Sequence, residues 1–579
     1  MKKKHIFTKE FDERRIDNLF QIAAYAILAF AALKRIDALK VPYVVPDEFG
    51  YWSAASYFSG YDWSSASNLN PYYAFGYGMV LAWILKLFRG IYAYKAAIVL
   101  NAVILCAMFV LLKKICDKLW GKSLWNSIVS LGVCLYTFNI VYAQLALCEL
   151  LLQMGFFASI FFLLEIQEKA AWKSCIGYSV TFSMLYWIHM RSLGILAAGC
   201  LCLLLLRAEH KISNGKLAGS LAIVLTMCLI SVVIKKNMSQ FLYGESALAT
   251  INDFAGQAGK LRSLKAFRGM ADFLAELTGQ LWYLCSTTFL LLFFAVIYLI
   301  KDIVQRFLKR KNEKDFGIFQ IYLLLSFFMT LAISVVGTMQ SRRTDALVYG
   351  RYIEFVILPV LVFGIFSIIH GEIRIKTISF ITAVYLFLAI LVNYIYQIRN
   401  YSGIVYPTVT GIYNFIWENY DNFVFPCTVF TITVEVLFII LCYKKRKLYQ
   451  TVLALILVCT IWLSNANGFI ENGVLVHQNS IQVDKIASVI EENGEEAPVY
   501  YLYDKEDSLL TANRIFMLQF LLKDIKIQCI QAEDMKAIEG KDYYVIVNNA
   551  SKCADKIEET YYKIAEGNPL ILYSSWNHS

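Results

Sequence analysis

Long apolar runs recur along most of the chain, and they constrain its fold more than any other feature. A helix needs about 20 apolar residues to cross the hydrocarbon core of a bilayer. The predicted spans are residues 18–35, 93–112, 124–144, 148–165, 174–188, 192–206, 216–234, 281–300, 316–338, 352–369, 375–396, 426–443 and 449–465. Because 58% of the residues are hydrophobic and only 17% are charged, a soluble fold would not hide this much apolar surface. The sequence therefore predicts a polytopic α-helical membrane protein with about thirteen transmembrane helices.

Lys and Arg residues cluster in alternate connections between these spans, and this bias sets the orientation of a membrane protein. The basic connections are residues 2–15, 113–118, 169–173, 207–211, 301–314, 374–376 and 444–447. We therefore expect a cytoplasmic N-terminus, an external C-terminus and a first span that is retained as an anchor, in a plasma membrane that we expect to be bacterial. The net charge of +10 then comes from basic residues that set the orientation and contact anionic lipid headgroups. Nucleic acid is not expected as a partner.

The stretch at residues 71–89, PYYAFGYGMVLAWILKLFR, is apolar but short, and two glycines interrupt it. Counting it as a span would invert the charge pattern downstream, so we predict an amphipathic or re-entrant helix at the external interface. The first external loop then covers residues 37–92. Two other external connections, residues 235–280 and 397–425, are expected to close over a cavity.

The chain changes character after residue 465. Period-two alternation predicts strands and longer apolar periodicity predicts helices. The predicted strands are residues 497–503, 525–530 and 543–547, and the predicted helices are residues 509–522 and 556–564. We therefore expect a membrane domain over residues 1–465 and a small external α/β domain over residues 466–579. The latter contains no nucleophile triad, phosphate loop or metal motif, so its expected role is recognition or shielding.

An acidic segment that is rich in aromatic residues and marked by prolines, VPYVVPDEFGYWSAASYF, follows the first span. Its adjacent carboxylates, Asp47 and Glu48, lie beside aromatic residues at a membrane surface, where acids are costly unless they handle something polar. We predict that both are catalytic, because a positioned carboxylate can accept a proton from a reacting group. The alternative is that Pro46 and Asp47 begin a helix, since Asp is a favoured N-cap and Glu48 suits the first turn.

Glu149 enters an apolar span near its external end, where a carboxylate needs a partner or water. If Glu149 and Asp47 face one cavity, their oxygens suit Mg²⁺, Mn²⁺ or Ca²⁺, and we name both as metal ligands if a cation is present. The alternative for Glu149 is a helix N-terminal acid held by backbone donors. Glu435 lies deep in another span, and a hydrogen-bonded structural role is favoured there over proton coupling.

Arginines also gather at the external boundary, in the segments WIHMRSLG and SRRTDALVYGRYIE. The positive-inside rule does not explain arginines on this side, but anion binding does. The planar guanidinium group can donate two hydrogen bonds at once to phosphate oxygens. The alternative is contact with lipid headgroups. His189 alone is weak evidence for a site. The residues predicted to hold a donor phosphate are Arg191, Arg343, Arg351 and Tyr352.

With these residues in place, the chain resembles the GT-C-fold glycosyltransferases that use polyprenyl-phosphate sugars, including the protein O-mannosyltransferase and lipid A aminoarabinose transferase groups. The likeness lies in PDEFGYWSAA, in NPYYAFGYGMVLAWILKLFRGIYAYK, in the acid at Glu149 and in the arrangement of spans before an external C-terminal domain. The resemblance implies that Asp47, and less directly Glu48, acts as a base or organises a metal. It also implies that Arg191 and Arg351 contact the donor phosphate.

One departure from that family concerns the metal. Asn68-Leu69-Asn70 stands where the aminoarabinose enzymes carry an acid and a lysine, so their metal arrangement does not transfer. The cofactor is therefore a divalent cation or none.

We predict a membrane glycosyltransferase, a hexosyl- or pentosyltransferase that moves a sugar from a polyprenyl-phosphate donor to an extracytoplasmic acceptor such as a cell-wall glycan, a lipid or a protein. The alternative from another class is a transporter or flippase of a lipid-linked glycan, which would grip a pyrophosphate with the same arginines and use Glu435 for coupling. The lack of repeat symmetry and the acids on one face argue against transport. A glycan polymerase or ligase is a third possibility.

Overall fold

The computed structural model describes residues 2–244, 254–308, 317–443, 448–493, 497–504, 509–538, 542–549, 551 and 553–576. Among the features named above, the basic connection at 444–447 and parts of the connections at 235–280 and 301–314 lie outside these residues. The helices up to residue 243 are α1 (Lys2–Leu33), α2 (Asp47–Ser59), α3 (Ser64–Ser67), α4 (Phe75–Leu87), α5 (Gly90–Trp120), α6 (Leu124–Cys134), α7 (Thr137–Tyr142), α8 (Glu149–Lys169), α9 (Trp172–Ile188), α10 (Leu193–Ala208) and α11 (Asn214–Tyr243).

The helices of the following part continue the helical architecture as far as residue 493. They are α12 (Phe254–Ser263), α13 (Phe267–Thr287), α14 (Leu291–Leu308), α15 (Ile318–Thr338), α16 (Thr344–Leu347), α17 (Glu354–Ile369), α18 (Ile375–Arg399), α19 (Tyr413–Glu418), α20 (Val424–Cys442), α21 (Leu448–Phe469), α22 (Val476–Ser480) and α23 (Val483–Asn493). A π-helical turn, Ile470–Leu475, joins α21 to α22. The proposed domain boundary at residue 466 therefore lies inside a nearly continuous helical stretch.

The predicted polytopic helical fold is confirmed. Within the described residues, nine helices are long and apolar enough to cross a membrane, or ten if the bent pair α13–α14 is one span. The remaining predicted spans fall on shorter helices, α6 with 11 residues, α9 with 17 and α17 with 16. By length and composition alone, the chain thus meets the span criterion fewer times than the thirteen predicted. The stretch at 71–89 forms α4, a 13-residue helix, which agrees with the prediction that it is not a full span.

The predicted span at 281–300 is not one straight helix, because the chain bends by 104° between α13 and α14. Phe289 and Leu290 adopt φ angles of 50° and 64°, and the Leu290 N–H donates to the Cys285 carbonyl at 2.9 Å. This six-residue closure is a common way to end a helix. Gly or Asn normally marks it, so an apolar sequence of Phe and Leu gave no signal of a break.

A mixed five-stranded sheet completes the chain. Its strands are β1 (Val499–Tyr503), β2 (Ile527–Gln531), β3 (Tyr544–Asn548), β4 (Tyr562–Gly567) and β5 (Leu570–Ser574), in the order β2-β1-β3-β5-β4. β1 pairs in parallel with β2 and β3, and β5 pairs antiparallel with β3 and β4. The helices beside the sheet are α24 (Leu509–Leu522) and α25 (Ala554–Thr560). The predicted small α/β unit is confirmed.

The predicted helix at 556–564 is correct only in its first part. α25 ends at Thr560, and β4 begins at Tyr562. The cause is the short turn at Asn568 and Pro569, which returns the chain so that β4 pairs with β5. Pairing in this hairpin outweighs the local helical pattern, since strand formation depends on cross-strand neighbours that a local pattern does not contain.

The α/β unit packs directly on the helix that begins at Asp47. The ring of Phe516 in α24 stacks on Phe49 with centroids 4.4 Å apart, and Phe520 lies 4.8 Å from Trp52. The Trp63 indole N–H also donates to the Lys523 carbonyl at 2.7 Å. Aromatic contacts of this kind carry large buried area in a fixed geometry. Through them, α24 supports the side of α2 that faces away from the cavity described below.

Replacing Phe516 with Ala tests this contact. Phe516 is fully buried, and truncating a buried Phe costs about 3–5 kcal/mol, so we expect a clearly lower unfolding midpoint for the purified protein in detergent. Tyr562→Ala is the control, because that side chain in the same unit is 52% exposed and such surface changes cost within about 0.5 kcal/mol. Equal midpoints for the two variants would contradict the packing described here.

Candidate active site

Asp47 is the first residue of α2, and its side chain points away from its own helix. No side-chain hydrogen bond caps the N-terminus of α2. Instead, Asp47 Oδ1 accepts a hydrogen bond from the Tyr73 hydroxyl at 2.6 Å, and Oδ2 accepts one from Arg351 Nη1. The alternative that Asp47 merely caps a helix is therefore not what the structure shows.

A glycine makes the contact between Asp47 and Tyr73 possible. A Cβ atom at Gly50 would lie 2.0 Å from the Tyr73 ring, so only a residue without a side chain lets the ring pack against α2 at this point. Gly50 lies three residues after Asp47 and therefore on nearly the same face of the helix. The ring is thus held where its hydroxyl reaches the carboxylate.

Glu149 is the first residue of α8 and is fully buried. Its Oε1 accepts hydrogen bonds from Arg351 Nε at 2.7 Å and from Arg191 Nη2 at 3.2 Å. Two guanidinium groups from distant parts of the chain thus share one buried carboxylate. A buried charge needs a partner of opposite sign, and Glu149 supplies it for both arginines.

Arg351 lies at the centre of the cluster and bridges the two acids. The N–H groups of Gly350 and Arg351 donate to the Thr408 carbonyl at 2.9 and 3.2 Å, which fixes the backbone of this segment. Burial opposes the charge on Arg351, but the carboxylates of Glu149 and Asp47 outweigh burial and hold its pKa well above the ordinary value. Arg351 therefore stays charged at all relevant pH values.

Arg191 is the second buried cation, and it has unused donors. The side chain lies between two aromatic rings, with Cζ 5.1 Å from the Tyr352 centroid and 5.2 Å from the Phe355 centroid. Its Nη2 binds Glu149, whereas Nε and Nη1 have no hydrogen-bond partner within the part of the chain that the structure describes. Since buried donors are nearly always paired, these nitrogens indicate a site for an acceptor that the protein itself does not supply.

His189 lies beside this pair. Its Nδ1 accepts a hydrogen bond from the Arg191 backbone N–H at 3.2 Å. Burial, together with the charges of Arg191 and Arg351, holds the pKa of His189 well below its ordinary value, so the imidazole is neutral at neutral pH. With Nδ1 as an acceptor, the proton lies on Nε2. His189 is therefore a neutral hydrogen-bond donor.

These side chains surround a cavity of about 520 Å³. Its lining residues are Asp47, Tyr72, Tyr73, Ala74, His189, Met190, Arg191, Leu193, Leu261, Ala332, Ile333, Val336, Gly337, Arg343, Tyr349, Arg351, Tyr352, Val405 and Thr408. The lining combines charged and aromatic side chains with a set of apolar ones. Both of the long connections expected to cover a cavity contribute to the lining, through Leu261 and through Val405 and Thr408.

Most of the predicted site residues meet at this cavity. Asp47, Arg191, Arg351 and Tyr352 line it, and Arg343 lies at its half-exposed edge. The guanidinium of Arg343 donates to Asp345 Oδ2 at 2.9 Å. Burial raises the pKa of Asp345, and its bonds to neighbouring donors offset only part of that rise. Arg343 thus forms its ion pair with Asp345 and not with the carboxylate that Arg191 and Arg351 share.

Glu48, predicted as catalytic, lies behind the cavity and not in its lining. Its four donors are the backbone N–H groups of Tyr43 (2.5 Å), Val44 (2.7 Å) and Ala146 (2.6 Å) and the Tyr94 hydroxyl (2.8 Å). Burial raises the pKa of Glu48, and these bonds oppose the rise. The carboxylate ties the loop before α2 to the turn before α8, which is an organising position and not one in contact with the cavity.

The predicted metal site does not fit the observed geometry. Asp47 and Glu149 were expected to hold a cation, but Arg351 lies between them and bonds to both. A protein cation thus occupies the position that a metal would need. Across the described ranges, no group of three or more His, Cys, Asp or Glu side chains is arranged to hold a metal ion.

Glu435 lies away from the cavity. Its Oε1 accepts a hydrogen bond from Thr382 at 2.8 Å, which agrees with the favoured structural role. Sequence reasoning missed Tyr73 and Thr408, which orient Asp47 and Arg351. The signal for Tyr73 was a tyrosine pair next to the glycine-rich helix α4, together with Gly50 just after the acid pair. Thr408 carried no local signal, since it acts through its backbone carbonyl.

Comparisons with known proteins find similarity only among solved structures. No protein-family model matches the sequence, and no curated protein matches it. The chain is similar to ArnT from Cupriavidus metallidurans bound to undecaprenyl phosphate, with 10% identity and a TM-score of 0.49 over 97% of this chain and 98% of that one. It is also similar to the archaeal oligosaccharyltransferase AglB from Archaeoglobus fulgidus in complex with an inhibitory peptide and a dolichol-phosphate, with 9% identity and a TM-score of 0.42 over 96% and 74% of the two chains.

A further AglB structure, in complex with Zn and sulfate, gives 11% identity and a TM-score of 0.41 over 95% of this chain and 72% of that one. These identities and TM-scores are too low to transfer a function. The function proposed below therefore rests on the geometry of the cavity.

Replacing Glu149 with Gln tests its role as a shared counter-ion. Removing one partner of a buried ion pair costs about 3–5 kcal/mol, so we expect a large fall in the unfolding midpoint. Glu168→Gln, near the other end of α8, is the control. Its carboxylate is 46% exposed in a pair with Lys118, and exposed pairs contribute at most about 1 kcal/mol. Similar midpoints for the two variants would rule out the shared counter-ion.

Treatment with a chelator tests whether a metal ion lies between Asp47 and Glu149. A cation bound between Asp47 and Glu149 would stabilise the folded protein in proportion to its occupancy, and millimolar EDTA would remove that stabilisation. Because Arg351 fills this position, we expect the unfolding midpoint to stay unchanged with EDTA and with added Mg²⁺ or Mn²⁺. A fall with EDTA that Mg²⁺ or Mn²⁺ reverses would contradict this geometry.

Proposed function

We propose that the protein is a membrane glycosyltransferase that moves a sugar from a polyprenyl-phosphate donor to an extracytoplasmic acceptor. On the orientation derived from Lys and Arg, the N-terminus is cytoplasmic and the cavity opens toward the external side of a bacterial plasma membrane. Residues 1–465 form the catalytic membrane domain, and residues 466–579 form an external α/β domain. The acceptor is a cell-wall glycan, a lipid or a protein.

The observation that carries this proposal is a carboxylate and two buried guanidinium groups lining one cavity. Within the described residues, Nε and Nη1 of Arg191 have no hydrogen-bond partner, and Arg351 bonds to the same buried acid. Phosphate oxygens accept bidentate hydrogen bonds from a planar guanidinium group. A phosphate group is therefore the ligand that best satisfies the unused donors.

The apolar part of the cavity lining indicates that a lipid carries this phosphate. Ala332, Ile333 and Val336 come from α15, and Leu193 comes from α10. Both helices are long and apolar enough to cross a membrane. A cavity lined by arginines and by apolar side chains of membrane helices suits an isoprenoid chain ending in a phosphate better than a water-soluble sugar nucleotide.

The remaining lining supports a sugar and its acceptor. Tyr73, Tyr349 and Tyr352 present aromatic surfaces next to Asp47, and such side chains offer an apolar face and a polar hydroxyl to one ligand. In the proposed reaction, an acceptor hydroxyl or amide attacks the anomeric carbon and its proton passes to the Asp47 carboxylate. The bond between the anomeric carbon and the phosphate oxygen breaks, and the polyprenyl phosphate leaves with that electron pair.

The arginines stabilise the charge that grows on the leaving phosphate. Fixed donors aimed at a developing charge are worth more in a buried cavity than in water, and Glu149 keeps Arg191 and Arg351 in place. Tyr352 lies over Arg191 and contributes to this donor-phosphate subsite, with Arg343 at its edge. Asp47 and Glu149 both bond to Arg351, and the proposed reaction has no step on a metal ion. Glu48 supports the loop that carries Asp47.

Asp47→Asn tests the proposal in cells that lack the native gene. The amide keeps the shape of the side chain but cannot accept the proton, and such groups contribute about 10²–10⁴-fold to a rate. We expect the variant to fold and insert, while mass spectrometry of lipid extracts finds the polyprenyl-phosphate sugar accumulating as it does without the gene. Asp62→Asn is the matched control, an exposed acid of the same loop that pairs with Lys526. Normal lipid levels in the Asp47→Asn cells would refute the proposal.

A further inference from the structure

Both oxygens of the proposed base are already in use. Oδ1 of Asp47 accepts from the Tyr73 hydroxyl at 2.6 Å, and Oδ2 accepts from Arg351 Nη1. The ion pair with the Arg351 guanidinium also fixes the direction in which Oδ2 points. Each carboxylate oxygen keeps a second lone pair, but the ion pair with Arg351 holds the carboxylate in one direction, so this bond must open before Asp47 can turn toward an acceptor.

The two acids on Arg351 differ in how firmly they are held. Glu149 has no exposed surface and bonds to both buried arginines. The Asp47 side chain is 25% exposed and lines the cavity. Releasing Glu149 would leave two buried guanidinium groups without their carboxylate, whereas Asp47 faces space that a ligand can enter. Arg351 therefore has one permanent partner and one exchangeable partner.

We propose that the donor's phosphate replaces Asp47 on Arg351, and that Asp47 becomes a base only after this exchange. The inference rests on the proposed function and assigns the order of events at the same site. The phosphate and the Asp47 carboxylate are both anions that compete for the Nη1 edge of one guanidinium. Glu149 is a positioning residue, since it keeps Arg351 charged and oriented while its other partner changes.

The exchange couples donor binding to the activation of the base. Before a donor arrives, Asp47 is paired with Arg351, and its carboxylate is not turned toward an acceptor. Once the phosphate occupies Arg351, Asp47 keeps only its bond to Tyr73 and turns one oxygen toward the acceptor. Because such coupling is reciprocal, the competition of Asp47 for Arg351 must also weaken the binding of the phosphate.

Reciprocity gives an unusual expectation for Asp47→Asn. The amide carries no charge to compete for Arg351, so the variant that cannot transfer sugar should bind the phosphate more tightly than the wild type. Couplings of this kind between sites are typically 5- to 150-fold in affinity. We expect a gain of about 5-fold or more for undecaprenyl phosphate, a lipid phosphate that carries no sugar and cannot react.

The experiment measures the dissociation constant of undecaprenyl phosphate for the full-length protein in lipid nanodiscs. Wild type, Asp47→Asn, Asp62→Asn and Glu149→Asp are compared, the last because it keeps the buried charge while moving it away from Arg351. We expect tighter binding for Asp47→Asn, wild-type binding for Asp62→Asn and weaker binding for Glu149→Asp.

The possible failures separate the two proposals. Equal or weaker binding by Asp47→Asn would overturn the exchange, while loss of transfer in the same variant would leave the glycosyltransferase assignment standing. If the wild type itself does not bind undecaprenyl phosphate, both the exchange and the lipid-phosphate donor are wrong. Unchanged binding in Glu149→Asp would remove Glu149 from its positioning role.

Discussion

The cluster of charges at the cavity depends on one buried carboxylate. Glu149 has no exposed surface and bonds to guanidinium groups that come from positions 42 and 202 residues further along the chain. Without it, Arg191 would lose its carboxylate and Arg351 would keep only the partly exposed Asp47, at a large cost in free energy. With it, two fixed cations lie in the lining of the cavity. The position of Glu149 at the start of α8 thus determines what the whole cavity can bind.

The helices around this cluster explain why it stays in place. Arg191 is fixed between two rings, and the backbone N–H groups of Gly350 and Arg351 both donate to Thr408. On the opposite side, α24 of the α/β unit packs its aromatic side chains on α2. Asp47 is therefore carried by a helix that is supported from behind, while its own side chain faces the cavity. Sites built on supported helices hold their geometry better than sites on isolated loops.

Hydropathy and charge predicted much of this arrangement, because both are local properties of the sequence. Runs of apolar residues located the helices, and arginines on the side that the positive-inside rule disfavours marked Arg191 and Arg351. The choice between Asp47 and Glu48 was not available from the sequence, since adjacent acids on a helix point about 100° apart and only tertiary contacts show which one meets the cavity. The bend at Phe289 and Leu290 was missed because neither residue type normally adopts a positive φ angle.

The expectation of a metal ion has a different origin. Two carboxylates predicted to face one cavity suggest a divalent cation, and the prediction of their proximity was sound. What the sequence does not contain is the fact that Arg351 lies between them, since the three residues are separated by 102 and 202 positions. The same ion pairs that exclude the metal are those that connect phosphate binding to the state of Asp47.

The most direct test of the central claim uses a reconstituted reaction. The polyprenyl-phosphate sugar that accumulates in cells without the gene is extracted and given to the purified protein in proteoliposomes, together with an acceptor fraction from the same cells. We predict that one equivalent of free polyprenyl phosphate appears for each sugar transferred to the acceptor. If the lipid stays intact and only moves from one leaflet to the other, the protein is a transporter and the proposed function is wrong.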